Sequence, residues 1–263
     1  MTVGKWTIAS LVALACLLTA TEAGAAQVEY VTGTGSAGPN SLGEASATCP
    51  TFDYPSGGGI FSSGDFVESY VTALELDSDP IRDTFQGWSW GYEDVVLNMN
   101  VACVDHKLTY KTKQREIGSG ETKTLTPHCP AGSKVVGGEV THTAPAKGPV
   151  VHVFRPAEKN TAWEAELINI TLDSHTMFAT AACASGKFAK KLVHRHDTGR
   201  AKNGELGLVT TDCPQGTSAL SGGVKVNSFA SNVNSTGISS IGTGSSSYVD
   251  GRTRFTNYVV CVE

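Results

Sequence analysis

CPAGSKVVGGEV, residues 129–140, reads as a Cys-Pro start, a short spacer and a glycine pair. The frame returns as CPQGTSALSGGV at 213–224 and, in degenerate form, as CPTFDYPSGGGI at 49–60. A second cysteine closes each stretch: Cys103, Cys183 and Cys261. Ahead of each Cys-Pro, at one constant distance, lies a strand-like segment: QVEYVTG from Gln27, KLTYKTK from Lys107 and KLVHRHD from Lys191. Within these segments Val28/Tyr30, Leu108/Tyr110 and Leu192/His194 fall on one face at period two. Landmarks held in step at a period of about 80 residues point to an internal triplication. The repeats are placed at 27–106, 107–186 and 187–263.

The aligned glycines, Gly57-Gly58-Gly59, Gly137-Gly138 and Gly222-Gly223, suit a bulge or tight bend at a strand start, where backbone approaches closely. A phosphate-cradling loop would need a following helix and usually a Lys-Ser/Thr pair, which the stretch lacks. Segments after the glycines alternate, as in EVTHTAP from Glu139, and each copy then runs through an aromatic strand to its last cysteine. No long 3.6-period apolar pattern occurs after the N-terminal run, so the expectation is all-β.

Residues 1–25 read as a signal peptide: Lys5, the apolar run IASLVALACLLTA and small residues at Ala23-Gly24-Ala25. The alternative is lipidation at Cys16. Removing the signal leaves six cysteines, an even number that suggests disulfides in an exported chain. Two of the pairings respect the triplication. Each copy closes itself, as Cys49–Cys103, Cys129–Cys183 and Cys213–Cys261, or each copy's last cysteine joins the next copy's first. The first set keeps every thin-cored unit self-contained. The expected location is secreted or extracytoplasmic, at the periplasm or cell surface, with no transmembrane segment in the mature chain.

Charge is unevenly shared. The first copy has one basic and twelve acidic residues, net −11; the second is net +2 and the third net +4, within a chain of net −5. An acidic chain without a basic–aromatic stripe argues against nucleic acid as a partner. The pattern His194-Arg195-His196-Asp197 lacks the continuation of a hydrolytic zinc motif, and its histidines occupy slots held by Tyr and Thr in the other copies. Asp77, Asp79 and Asp83 form a weak calcium candidate without EF-hand spacing. No cofactor is expected. No G-x-S-x-G elbow is present. Asn169-Ile170-Thr171 and Asn234-Ser235-Thr236 are glycosylation sequons.

The aromatics carry the ligand expectation. Trp88, Trp90 and Tyr92 alternate on one strand face next to Glu93 and Asp94, and Trp163 and Tyr248 stand at comparable places. Aromatic faces beside carboxylates suit sugars by stacking and hydrogen bonding. The competing reading is core filling. The candidate ligand-binding set is Trp88, Trp90, Tyr92, Asp94, Trp163 and Tyr248. Local function is expected where the copies differ: residues 75–94, 155–163 and the Ser-rich 231–250.

The order Cys-Pro, glycine cluster, Trp, final cysteine resembles a repeat of bacterial secreted proteins. The threefold logic is similar to that of β-prism proteins such as the vitelline membrane outer layer and jacalin-like families, whose binding motifs are not present here. The resemblance implies three tandem, disulfide-containing β repeats packed with pseudo-threefold symmetry, β-prism-like or as small sandwiches. The functional expectation is a non-enzymatic recognition protein binding carbohydrate or a cell-surface component. The alternatives are a structural envelope or matrix protein and a secreted hydrolase using carboxylates such as Glu93 or Asp94.

Overall fold

A computed structural model describes residues 27–51, 53–63, 69–76, 84–144, 148–202, 205–228 and 231–263. The segment read as a signal peptide, residues 1–25, and Asp77, Asp79 and Asp83 lie outside the described residues. The first third holds β1 (Val28–Ala37), β2 (Ser41–Thr48), β3 (Tyr54–Ser63), β4 (Ser69–Leu76), β5 (Thr84–Gly91) and β6 (Val95–Val104). The second holds β7 (Thr109–Ile117), β8 (Thr122–Leu125), β9 (Lys134–His142), β10 (Val150–Ala157), β11 (Ala162–Ile168) and β12 (His175–Ala184). After a short helix, α1 (Gly186–Lys190), the third holds β13 (Leu192–Ala201), β14 (Gly207–Asp212), β15 (Ser218–Val226), β16 (Val233–Ile238), β17 (Gly244–Val249) and β18 (Thr253–Val262). The protein is all-β, as its alternating segments and turn-rich composition dictate.

Every third pairs its strands in the same antiparallel order. The last strand lies between the first and the third, and the fifth between the second and the fourth. The end of each last strand, such as VACV of β6, is buried on both sides, which explains its continuous apolar run. The disulfides are Cys49–Cys103, Cys129–Cys183 and Cys213–Cys261, each within one third. Their separations of 54, 54 and 48 residues close loops worth about 4 kcal/mol each by chain entropy.

Three further pairings join the thirds: Leu74↔Val140 between β4 and β9, Phe154↔Val224 between β10 and β15, and Thr236↔Ile60 between β16 and β3. The last runs from the final third back to the first, so the connections form a ring. Each join creates a six-stranded layer with three strands from each of two thirds. Two layers are continuous through the Ser36↔Glu44 corner of β1 and β2, giving one twelve-stranded and one six-stranded sheet. Inside lies a continuous cluster of buried side chains from all three thirds, including Phe85, Trp163 and Phe255.

The glycine-cluster strands β3, β9 and β15 meet one another, and this is what the opening stretch specifies. A Cβ on Gly137 would lie 2.1 Å from the Ser56 carbonyl oxygen, and one on Gly57 would lie 3.2 Å from that of Leu220. At the corresponding position of β15, Ser221 donates its hydroxyl to the Val136 carbonyl at 2.7 Å. The contacts therefore run in one direction around the ring. A register shift accompanies each cluster, between Pro55 and Gly57, opposite Val135 and Gly137, and between Ala219 and Ser221. The glycines thus serve a bulge and a close approach, at ordinary negative φ for Gly57 and Gly137.

The aligned first-strand residues lock the same seams. Tyr30 Oη donates to Ala219 O at 2.9 Å, Tyr110 Oη to Pro55 O at 3.0 Å, and His194 Nε2 to Val135 O at 3.3 Å. Each crosses to the glycine strand of another third, again in one rotational sense. Burial pushes the His194 pKa down to about 4, with the Lys134 charge adding to it and the hydrogen bond opposing. His194 is accordingly a neutral seam residue at ordinary pH.

Candidate functional site

The best-formed candidate lies on the outer face of β5, at the seam between the first and second thirds. Strict alternation sends Phe85, Gly87 and Ser89 inward and Gln86, Trp88 and Trp90 outward. Trp88 stands opposite Glu44 of β2 and Ala73 of β4, and Trp90 stands opposite Leu42. Because β4 joins β9 at Leu74↔Val140, Glu75 comes beside Thr141, whose hydroxyl donates to Glu75 Oε2 at 3.0 Å. The next residue, His142, accepts the Ala144 N–H on Nδ1 at 3.1 Å, so its neutral ring carries its proton on Nε2.

Leu42, Ala73, Glu75, Trp88, Thr141, His142 and Ala144 line a cleft of about 200 Å³. The volume suits one sugar ring. It offers an indole wall, a carboxylate acceptor, a hydroxyl and an imidazole, a polar–aromatic mixture suited to binding. Its described lining has one carboxylate. Glycoside hydrolysis in its usual form takes two, placed on either side of the scissile bond.

The predicted ligand residues separate. Trp88 lines the cleft and Trp90 continues the same half-buried face. Tyr92 is 42% exposed beyond the strand end, and Glu93 and Asp94 are exposed in the turn into β6, outside the cleft lining. Tyr248 is half-buried on the outer face of β17, across from Leu208 and Ser235.

Trp163 is a correction. It has no exposed surface and packs edge-on against Phe154, ring centroids 4.8 Å apart. The ladders show why. Trp163 faces Pro156 as Phe85 faces Leu76, so Trp163 matches Phe85 and not Trp88. The residue that matches Trp88 is Glu166, three positions on. An odd offset along a strand moves a side chain to the other face.

Glu166 is committed elsewhere. His152 Nδ1 lies 2.7 Å from its Oε1, and Thr124 donates to Oε2 at 2.7 Å. The hydrogen bond from His152 holds its carboxyl below the usual range, against the opposing effect of burial. The same outer position thus carries Trp88, Glu166 and Tyr248 around the ring, three different chemistries on one frame.

Two further expectations change. The Ser-rich 231–250 stretch is largely interior: Ser231, Ser235, Ser245 and Ser247 are buried, and Asn257 Nδ2 donates to Ser245 O at 3.0 Å while Ser247 donates to Asn257 Oδ1 at 2.7 Å. Ser245 occupies the position of Phe85 and Trp163, so a polar network replaces an aromatic there. Asn169 is fully buried, its Nδ2 within reach of the Ile117, Gly118 and Asp173 carbonyls. The nitrogen a glycan would use is spent on a turn. The Asn234 side chain lies outside the described residues.

His194 and His196 have separate roles. The first locks a seam, and the second lies 5.6 Å from the Tyr258 ring. Among the described residues no three His, Cys, Asp or Glu side chains converge as metal ligands. Glu75, Thr141, His142 and Leu42 were not legible as one site, because three separate pairings assemble them around Trp88: β2 with β5 for Leu42, β4 with β5 for Glu75, and β4 with β9 for Thr141 and His142.

Neither the protein-family models nor the curated proteins compared with the chain match it. Three disulfides fit an extracellular or otherwise non-cytoplasmic protein. Among the described residues no helix is long and apolar enough to cross a membrane.

Proposed function

We propose that the chain is a secreted, non-enzymatic recognition protein that binds carbohydrate through the Trp88 cleft. The observation that carries the reading is the outward indole of Trp88 in a sugar-sized recess with Glu75 and Thr141. Carbohydrate C–H faces stack on indole, and hydroxyls donate to a carboxylate already oriented by a neighbour. A rigid frame with different outer residues at corresponding places also supports recognition, because specificity can vary without disturbing the core. In this reading the frame is a triplicated β-prism-like unit, and the sequence likeness to secreted bacterial repeats belongs to the same proposal.

The test is a glycan array followed by calorimetric titration of the best binder, using wild type, Trp88→Ala and Glu75→Gln. Folding is checked by circular dichroism. The reading expects both variants to stay folded and to lose at least about tenfold in affinity, the scale of one stacking or charge-assisted contact. Wild-type affinity retained in both would reject the cleft. Ring closure and three disulfides give a structural envelope role its own support. That role predicts prolonged protease resistance and no glycan bound by the wild type.

A further inference from the structure

A second site stands at the far end of the β13–β18 ladder. Arg200 is directly opposite Arg254, and Ala201 opposite Thr253. Lys202 and Arg252 flank them two residues on, which places all four cations on one side. Together they line an open cleft of about 650 Å³ whose floor is Ala201 and Thr253. All four are exposed. Among the described residues none of the three guanidinium groups has an acidic partner. Lys202 has only Glu205 at 3.6 Å, a largely exposed pair. Asp250, the nearest acid in sequence to Arg252, is turned to the Asn232 N–H at 2.9 Å.

Like charges directly opposite in an antiparallel pair destabilise the free protein. Guanidinium groups bind sulfate and carboxylate through paired N–H donors. The same sheet face continues from the cleft through the hydrogen-bonded Thr198–Thr256 pair, 3.1 Å, to Tyr258, with Arg155 5.4 Å from its ring. Hydroxyls and a ring in line suit an extended ligand better than a free ion; Arg155 itself is paired with Glu164 at 2.8 Å. The remainder of the chain is acidic, with net −11 in its first third, so a bilayer or duplex would meet repulsion where a narrow chain would not.

We propose that Arg200, Lys202, Arg252 and Arg254 form a binding site for an anionic polysaccharide carrying sulfate or carboxylate groups. This site is separate from the Trp88 cleft and does not rest on it. The experiment measures binding of the disulfide-bonded protein to dextran sulfate, alginate and neutral dextran at about 50 mM and about 300 mM salt, where screening differs strongly. Anionic phosphatidylglycerol vesicles, duplex DNA and inorganic sulfate are run alongside. The double variant Arg200→Gln/Arg254→Gln and Trp88→Ala complete the set.

The expected result is binding of at least one anionic polysaccharide and not of neutral dextran, weakened about tenfold or more by the added salt. Arg200→Gln/Arg254→Gln binds it about tenfold or more weakly, while its ligand-free Tm is no lower than wild type. Trp88→Ala binds it as wild type does. Equal binding by the arginine variant, equal binding of neutral dextran, or no polysaccharide bound at low salt each overturn the proposal. So does tighter binding to vesicles, DNA or inorganic sulfate than to either anionic polysaccharide.

Discussion

His194 gives the seam a pH dependence that Tyr30 and Tyr110 do not share at neutral pH. Its Nε2–H reaches Val135 O, and burial pushes its pKa from the ordinary 6.5 down to about 4. Between those values the unfolded chain holds a proton on this residue and the folded chain does not. Stability therefore falls as pH drops through that window and loses no more from this group below it. Each pH unit inside the window is worth about 1.4 kcal/mol. Acidification from about pH 7.5 to about pH 5 thus removes about 2 kcal/mol through His194, and about 3 kcal/mol is gone by pH 4. The informative substitution is His194→Tyr, because tyrosine fills the corresponding position in the other two thirds. Denaturant unfolding of both proteins at the two pH values isolates this residue, since every other titration cancels in the difference. The variant should gain about 2 kcal/mol on wild type at the lower pH relative to the higher. Parallel stability–pH curves for the two proteins would refute a buried, neutral His194.

Trp163→Ala should cost about 3–5 kcal/mol in denaturant unfolding, and Trp88→Ala less than about half of that; equal losses would contradict the inward–outward assignment of the two indoles. Gly137→Ala should be far more damaging than Gly132→Ala. The first drives a methyl to 2.1 Å from Ser56 O, whereas the second meets nothing within 4 Å and bears only the φ of +79°, about 1–2 kcal/mol. Similar Tm losses for the two would undo the close-approach argument. Asn169→Ala should lose about 2 kcal/mol or more, because buried carbonyls are left without their donor; a Tm unchanged from wild type would show the side chain to be dispensable.

Much of the frame was readable because it depends on local periodicity. Alternating segments made the chain all-β, and cysteine spacing left two symmetric disulfide sets, of which the within-third set is the one formed. The alignment of Tyr30, Tyr110 and His194 was visible in the sequence, but its purpose was not. The carbonyls they reach lie in other thirds, and no local pattern encodes them. Trp163 was misplaced for a related reason. Order along the chain matched it with Trp88, while the ladder matched it with Phe85. The Ser-rich stretch was expected to carry local function because the copies differ there. Its burial depends on Asn257, Ser245 and Ser247 satisfying one another across strands.

The sequence by itself determined the strand periodicity, the cysteine frame and the glycine positions, since each follows from the backbone needs of a single residue or its near neighbours. Tertiary structure alone decided that the glycine strands meet in a ring and that β4 lies on β9. The second of these brings Thr141 to Glu75, which the β4–β5 ladder already holds near Trp88. The meeting of β13 with β18 likewise sets Arg200 against Arg254. Sites assembled across such seams depend on register between distant strands, and a one-residue slip would send every one of these side chains to the opposite face.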